Sequence, residues 1–215
     1  LKIESNRIEN ISGITRNYTG IYYGINSNSS RATASNPIVF TNNLIYDYNI
    51  NSTFFGITSS SSSSYNKFYH NTIYLSSDTM NANIVGFRHS SSSINVSTDI
   101  EVRNNLIKIE GGKGTFGPYH VGFYISGIVN CDYNNVDISN SNANPKAYGR
   151  DINNYFYSLS QWQSAKSSAF GANSSEYDPL FNDEIDLTPS STQMNNRGDN
   201  LSIATDHYDD LRSTS

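Results

Sequence analysis

Cysteine is almost absent. Cys131 stands alone among 215 residues, so no internal disulfide can form. A zinc site built from cysteine pairs is excluded as well. A single cysteine reads as a small buried residue. Charge is also scarce, at 15% of the chain against the usual ~25%. The formal net charge of −5 is the wrong sign for a nucleic-acid surface, so no nucleic-acid partner is expected. No apolar run approaches the ~18–20 residues that a membrane span needs, so no membrane insertion is expected. A leader with a basic end and an apolar centre is missing too. Hairpin signals such as Asn-Gly are absent.

Apolar residues reach only 36%, but aromatics supply 13%, including 16 Tyr. With so many rings and so little net charge, simple disorder is excluded. Asn and Ser together make up roughly 30% of the chain. The opening Leu1-Lys2-Ile3-Glu4-Ser5-Asn6 reads as strand in mid-pattern, as if the remainder of a larger parent chain preceded it.

A short pattern, Asn-x-(Ile/Leu/Val), recurs. Its copies begin at Asn6, Asn42, Asn71, Asn104 and Asn134, about 29–36 residues apart, a spacing in the range of repeat architectures. Alternating apolar residues precede it, as in Ile38-Val39-Phe40, Lys67-Phe68-Tyr69 and Ile100-Glu101-Val102. A second marker, glycine followed by a bulky residue, keeps step with the first at Gly20, Gly56, Gly86 and Gly122. Ser-rich loops lie between the two. Short β-branched and aromatic strands at this period, with no helical stretch between them, disfavour a βαβ sheet. They predict an all-β, right-handed parallel β-helix whose stacked Asn side chains form amide ladders at the corners.

The last third differs. After Asn153-Asn154-Tyr155-Phe156-Tyr157, the spacing predicts one short helix over 158–165. Ser158 or Ser160 would cap it, and Leu159, Trp162 and Ala165 would line one face. Asp178-Pro179-Leu180-Phe181 and Asn196-Arg197-Gly198 follow. Repeat arrays need atypical end units. The expected division is therefore 1–150 for the repeating part and 151–215 for the last repeat and a covering segment.

The order Tyr155-Phe156-Tyr157, Leu159 with Trp162-Gln163, Asp178-Pro179-Leu180-Phe181, Asn196-Arg197-Gly198, then Asp206 and Arg212 resembles the C-terminal part of parallel β-helix repeat proteins of the pectate-lyase-like superfamily. Large surface proteins exported by the bacterial type IX secretion route are the nearest look-alikes. The family's closing Asp-x-Asp-Gly lacks its Gly here, where the chain reads Asp206-His207-Tyr208-Asp209-Asp210. The resemblance implies a secreted or cell-surface setting. Its members include lyases, hydrolases, adhesins and passive stalks.

Three functions follow as expectations. The first is a non-catalytic module for adhesion or glycan and surface binding. The second is a polysaccharide-degrading enzyme, a lyase before a hydrolase. The third is a structural stalk. A lyase would draw its base and its charge-neutralising groups from Arg103, Lys108, Lys113 and His120, which cluster in one repeat and its Gly-rich loop, Glu110 to His120. A hydrolase would need paired carboxylates on one groove, and no pair is evident among Asp47, Asp78, Asp99, Glu101, Glu110, Asp132 and Asp137. Tyr46, Tyr74, Tyr119 and Trp162 are candidate ligand-stacking residues, since each ring offers a flat apolar face with a polar edge. No cofactor is expected beyond calcium, for which Asp206, Asp209 and Asp210 supply hard oxygens at short spacing. Asp78-Thr79-Met80 resembles an O-glycosylation triplet of such exported proteins, which makes Thr79 a candidate modification site.

Overall fold

The computed structural model describes residues 1–9, 21–27, 32–46, 53–60, 64–77, 83–91, 97–111, 119–139, 141, 143, 145–166, 170–183, 186–208 and 210–211. Among these, the chain is mostly β, with a single α-helix. The strands are β1 (Lys2–Glu4), β2 (Arg7–Ile8), β3 (Ile21–Ser27), β4 (Ile38–Thr41), β5 (Leu44–Ile45), β6 (Thr53–Ser60), β7 (Asn66–Tyr69) and β8 (Thr72–Ser77). They continue as β9 (Ile84–Ser90), β10 (Ser97–Arg103), β11 (Leu106–Gly111), β12 (His120–Ile125), β13 (Ile128–Asp132), β14 (Asn135–Asp137), β15 (Lys146–Arg150) and β16 (Tyr155–Phe156). The helix α1 is Leu159–Lys166, and one 3-10 turn spans Thr192–Met194.

The strands form three sheets, ordered β1-β4-β7-β10-β13, β2-β5-β8-β11-β14 and β3-β6-β9-β12-β15-β16. The chain visits the first, second and third sheets in turn and returns one strand further along each time. Every pairing is parallel except β15 with β16. One hydrophobic core draws on all three sheets. Phe40, Phe68 and Val102 come from the first, Ile45, Ile73 and Ile107 from the second, and Ile57, Phe87 and Phe123 from the third. Phe40 and Phe68 stack with centroids 4.8 Å apart and planes 10° apart, as one strand step requires.

Two residues turn the corner between first and second sheets in every round, and their roles are distinct. The first residue takes a left-handed backbone: Ser5, Asn42, His70, Asn104 and Tyr133 have φ between 52° and 58°. The second is always Asn: Asn6, Asn43, Asn71, Asn105 and Asn134. These form the amide ladder. Each Nδ2 donates to the Oδ1 of the next, at 2.8, 2.8, 2.9 and 3.0 Å. The backbone N–H of each donates to that same Oδ1 at 2.9–3.2 Å. Two rungs therefore differ from the sequence expectation. Asn42 and Asn104 are the left-handed residues, and their neighbours Asn43 and Asn105 carry the ladder. A double Asn offers both roles to one residue type, so the repeat pattern alone slips by one there.

Two residues after each ladder Asn comes an aliphatic side chain, and from Asn43 onward it meets a glycine of the third sheet. Gly24, Gly56, Gly86 and Gly122 are in register across β3, β6, β9 and β12. A Cβ on them would lie 2.8, 2.8, 2.4 and 2.3 Å from Ile45, Ile73, Ile107 and Val136. The first glycine of this column is Gly24. Gly20, the expected marker, lies outside the described residues.

Past β14 the stack is closed. Ser174 Oγ accepts the Asn134 N–H at 3.0 Å, in the place of a further ladder amide, and Ser175 bridges to Asn135. Trp162 of α1 is fully buried over Gly149, ringed by Tyr148, Phe156 and Phe170. Ser158 caps the helix by accepting the Gln161 N–H, and Gln161 Oε1 accepts the Tyr157 N–H. Of the expected apolar face, Trp162 is buried, Leu159 packs against the core, and Ala165 is exposed.

Two stability tests follow. Asn71→Ala strands the N–H of Asn43 and takes one partner each from Asn43 Nδ2, Asn105 Oδ1 and the Phe40 carbonyl, in a buried site. It is expected to cost about 3 kcal/mol or more, read as the urea midpoint, and a loss below about 1 kcal/mol would show the ladder to be incidental. Gly86→Ala should cost about 1–3 kcal/mol by overpacking, and Ile107→Ala in the same chain should recover part of it in a double-mutant cycle.

Candidate functional site

The three residues expected of a lyase sit on three different sheets. Arg103, at the end of β10, pairs with Asp199 at 2.5 Å. Lys108, on β11, lies between Asp178 at 2.7 Å and Glu110 at 3.3 Å. Burial opposes its charge, but the hydrogen bond it donates to Asp178 and the charge of Glu110 outweigh it, so Lys108 holds its proton above the ordinary lysine range. A general base needs the opposite shift. His120, on β12, is buried with Nδ1 2.5 Å from Ser141 Oγ. The structure does not bring the three to one groove. Lys113 lies outside the described residues.

Three of the four candidate stacking rings are inside the fold. Tyr46 is buried, its hydroxyl accepting from Arg7. Tyr74 is buried, donates to Glu110 at 2.5 Å and meets Phe181 edge-on. Both share a cluster with Leu44 and Leu187, so the segment after 178 covers them. Trp162 is the buried closure over Gly149. Asp206 Oδ1 accepts the N–H groups of Tyr208 and Asp210, which makes it a turn cap. Among the described residues no group of three or more His, Cys, Asp or Glu is placed to hold a metal. Asp209 and Thr79 lie outside the described residues.

Tyr119 alone of that set belongs to a partly open face, and its neighbours form the site. In the third sheet, Asn26, Thr58, Arg88, Tyr124, Arg150 and Tyr155 are successive register partners. The last four alternate cation and ring. The Arg150 guanidinium lies 5.0, 5.0 and 4.6 Å from the centroids of Tyr119, Tyr124 and Tyr155. Arg88 lies 4.9 Å over Phe55 and 5.8 Å over Tyr124. Tyr157 extends the row, near-parallel to Tyr155, and is 59% exposed. A small apolar floor of Phe55, Val85, Val121 and Ala147 supports the rings. Among the described residues neither arginine has a carboxylate partner, and Arg88 Nε is buried without an acceptor.

Sequence reasoning passed over Arg88, Arg150, Tyr155 and Tyr157 as site residues. A signal was present, because Thr58, Arg88 and Tyr124 each stand two places after a column glycine. Arg150 follows Gly149 directly, so the column shifts at its last strand and the spacing hides it.

Beside Arg88, His89 is fully buried. Burial, then the Arg88 charge, lowers its pKa from 6.5 to about 4. Below pH 6.5 the unfolded chain takes a proton that the folded chain refuses until about pH 4. Stability should therefore fall as pH drops through that window, with no further loss from this group below it. His89→Gln should flatten the slope of Tm against pH between 7 and 4. An unchanged slope would mean that His89 does not set it. No family model, curated protein or solved structure matches this chain, so the site is read from its own geometry.

Proposed function

We propose that the chain is a non-catalytic glycan-binding module of a secreted or cell-surface protein, built as a right-handed parallel β-helix. The cyclic visiting of three parallel sheets, the amide ladder and the single shared core support that architecture. The resemblance to exported surface proteins supports the setting.

One observation carries the binding reading. Arg150 lies over three tyrosine rings on a partly open face, with no carboxylate partner among the described residues. Tyrosine rings stack on the apolar faces of sugars, their hydroxyls bond sugar hydroxyls, and a stacked guanidinium keeps its edge donors free. A flat row suits an extended polymer better than a small molecule in a closed pocket. The separation of Arg103, Lys108 and His120 on three sheets counts against the lyase alternative.

The protein should co-migrate with at least one polymer of a panel of neutral and acidic polysaccharides, without shortening it. Tyr155→Ala with Tyr157→Ala should weaken that binding about tenfold. Retention of none of the polymers would overturn the binding reading, and shortening of any would overturn the non-catalytic one.

A further inference from the structure

We infer that the ligand is a linear anionic glycan, lying across the strands of the third sheet, whose charges are read at two points by Arg88 and Arg150. The inference rests on the reading of this face as a glycan site and adds the charge, direction and spacing of the ligand.

Charge comes first. A guanidinium stacked on a ring still presents N–H donors at its edge, matched in geometry to a carboxylate or sulfate. Arg197, over the Tyr177 ring, donates to the Gln193 carbonyl, while Arg7 and Arg103 find acids in Glu9 and Asp199. Arg88 and Arg150 find no acid among the described residues. Arg88 also carries a buried, unbonded Nε donor, and its register neighbour Thr58 carries a buried, unbonded Oγ1. An unmet buried donor is costly and is relieved by an acceptor. The guanidinium edges of this face thus offer donors with no carboxylate beside them among the described residues, which matches an anion.

Direction and spacing follow from register. Arg88 and Arg150 are separated by one strand, the one carrying Tyr124. Two strand steps are about 10 Å. The row therefore runs perpendicular to the strands in the order cation, ring, cation, ring. In an extended sugar chain with a two-fold twist, neighbouring units face opposite ways, so like charges recur on one side at alternate units. Such a chain places an anion on Arg88, a ring on Tyr124 and the next same-side anion on Arg150.

The test is calorimetric titration of the full chain with alginate oligomers (carboxylate), sulfated dextran, unmodified dextran and poly-glutamate. Alginate or sulfated dextran should bind, with affinity falling as salt rises. The comparison between those two tells which anion is read. Arg88→Gln and Arg150→Gln should each cost about 10- to 100-fold, and binding should need an oligomer long enough to reach both arginines. Arg150→Lys, which keeps the charge but loses the forked edge, should also weaken binding and covers the case in which the Gln variant fails to fold. Equal binding of dextran and alginate, with both Gln variants unaffected, would overturn the anionic inference and leave the glycan reading intact. Poly-glutamate binding as well as alginate would overturn it in favour of bare electrostatics. No binding by any sugar polymer would overturn the glycan reading itself.

Discussion

A side-chain amide removed from water has to find its donors and acceptors inside the protein, and the corner ladder supplies them in a form that propagates. Asn71 Oδ1 takes both donors of Asn43, and its Nδ2 reaches Asn105 Oδ1 and the Phe40 carbonyl. Each rung accepts from the one before it and presents the same two donors to the one after. The rung must recur at the strand spacing, and the first two sheets must meet at that corner. The left-handed residue before each Asn turns the chain sharply enough for two residues to join the sheets. Where the ladder ends, a hydroxyl takes over at Ser174.

The remaining packing is set from that corner. Two residues beyond each ladder Asn from Asn43 onward, a β-branched side chain presses on a third-sheet glycine whose missing Cβ makes room for it. The third sheet is thus held against the second at a distance that only glycine permits. At the closing end the same contact is made by Trp162 on Gly149, one large ring in place of an aliphatic side chain. The Trp is therefore explained by a packing vacancy in the repeat and is unavailable to a ligand.

The arginine–tyrosine face is a by-product of this registry. Because parallel strands stack identical positions, whatever residues stand two places after the column glycine line up. In β9 and β12 these are Arg88 and Tyr124, and register alone adds Arg150 of β15 and Tyr155 of the antiparallel β16. Alternating cation and ring holds the arginines, which have no acidic partners among the described residues. Elsewhere cations are consumed by structure: Arg103 and Lys108 hold the segment after 178 against the strands through Asp199 and Asp178.

The sequence by itself determined the periodic content: Asn at the corners, aliphatics two places on, glycine in step, and β-branched and aromatic runs between. These are local requirements of turn geometry and strand packing, and they repeat because each round meets the same neighbours. It also determined the helix around Trp162, through its Ser158 and Gln161 cap. Only the tertiary structure decided which Asn of a pair bonds to the next round, because the two differ in backbone angle and not in chemistry. Only it decided that Tyr46 and Tyr74 lie under Leu187 and Phe181, and that Arg103, Lys108 and His120 face apart. The loops between strands vary in length, so closeness along the chain is no guide to which sheet a residue reaches. The Arg88 to Tyr155 row spans nearly 70 residues and exists only once the strands are in register.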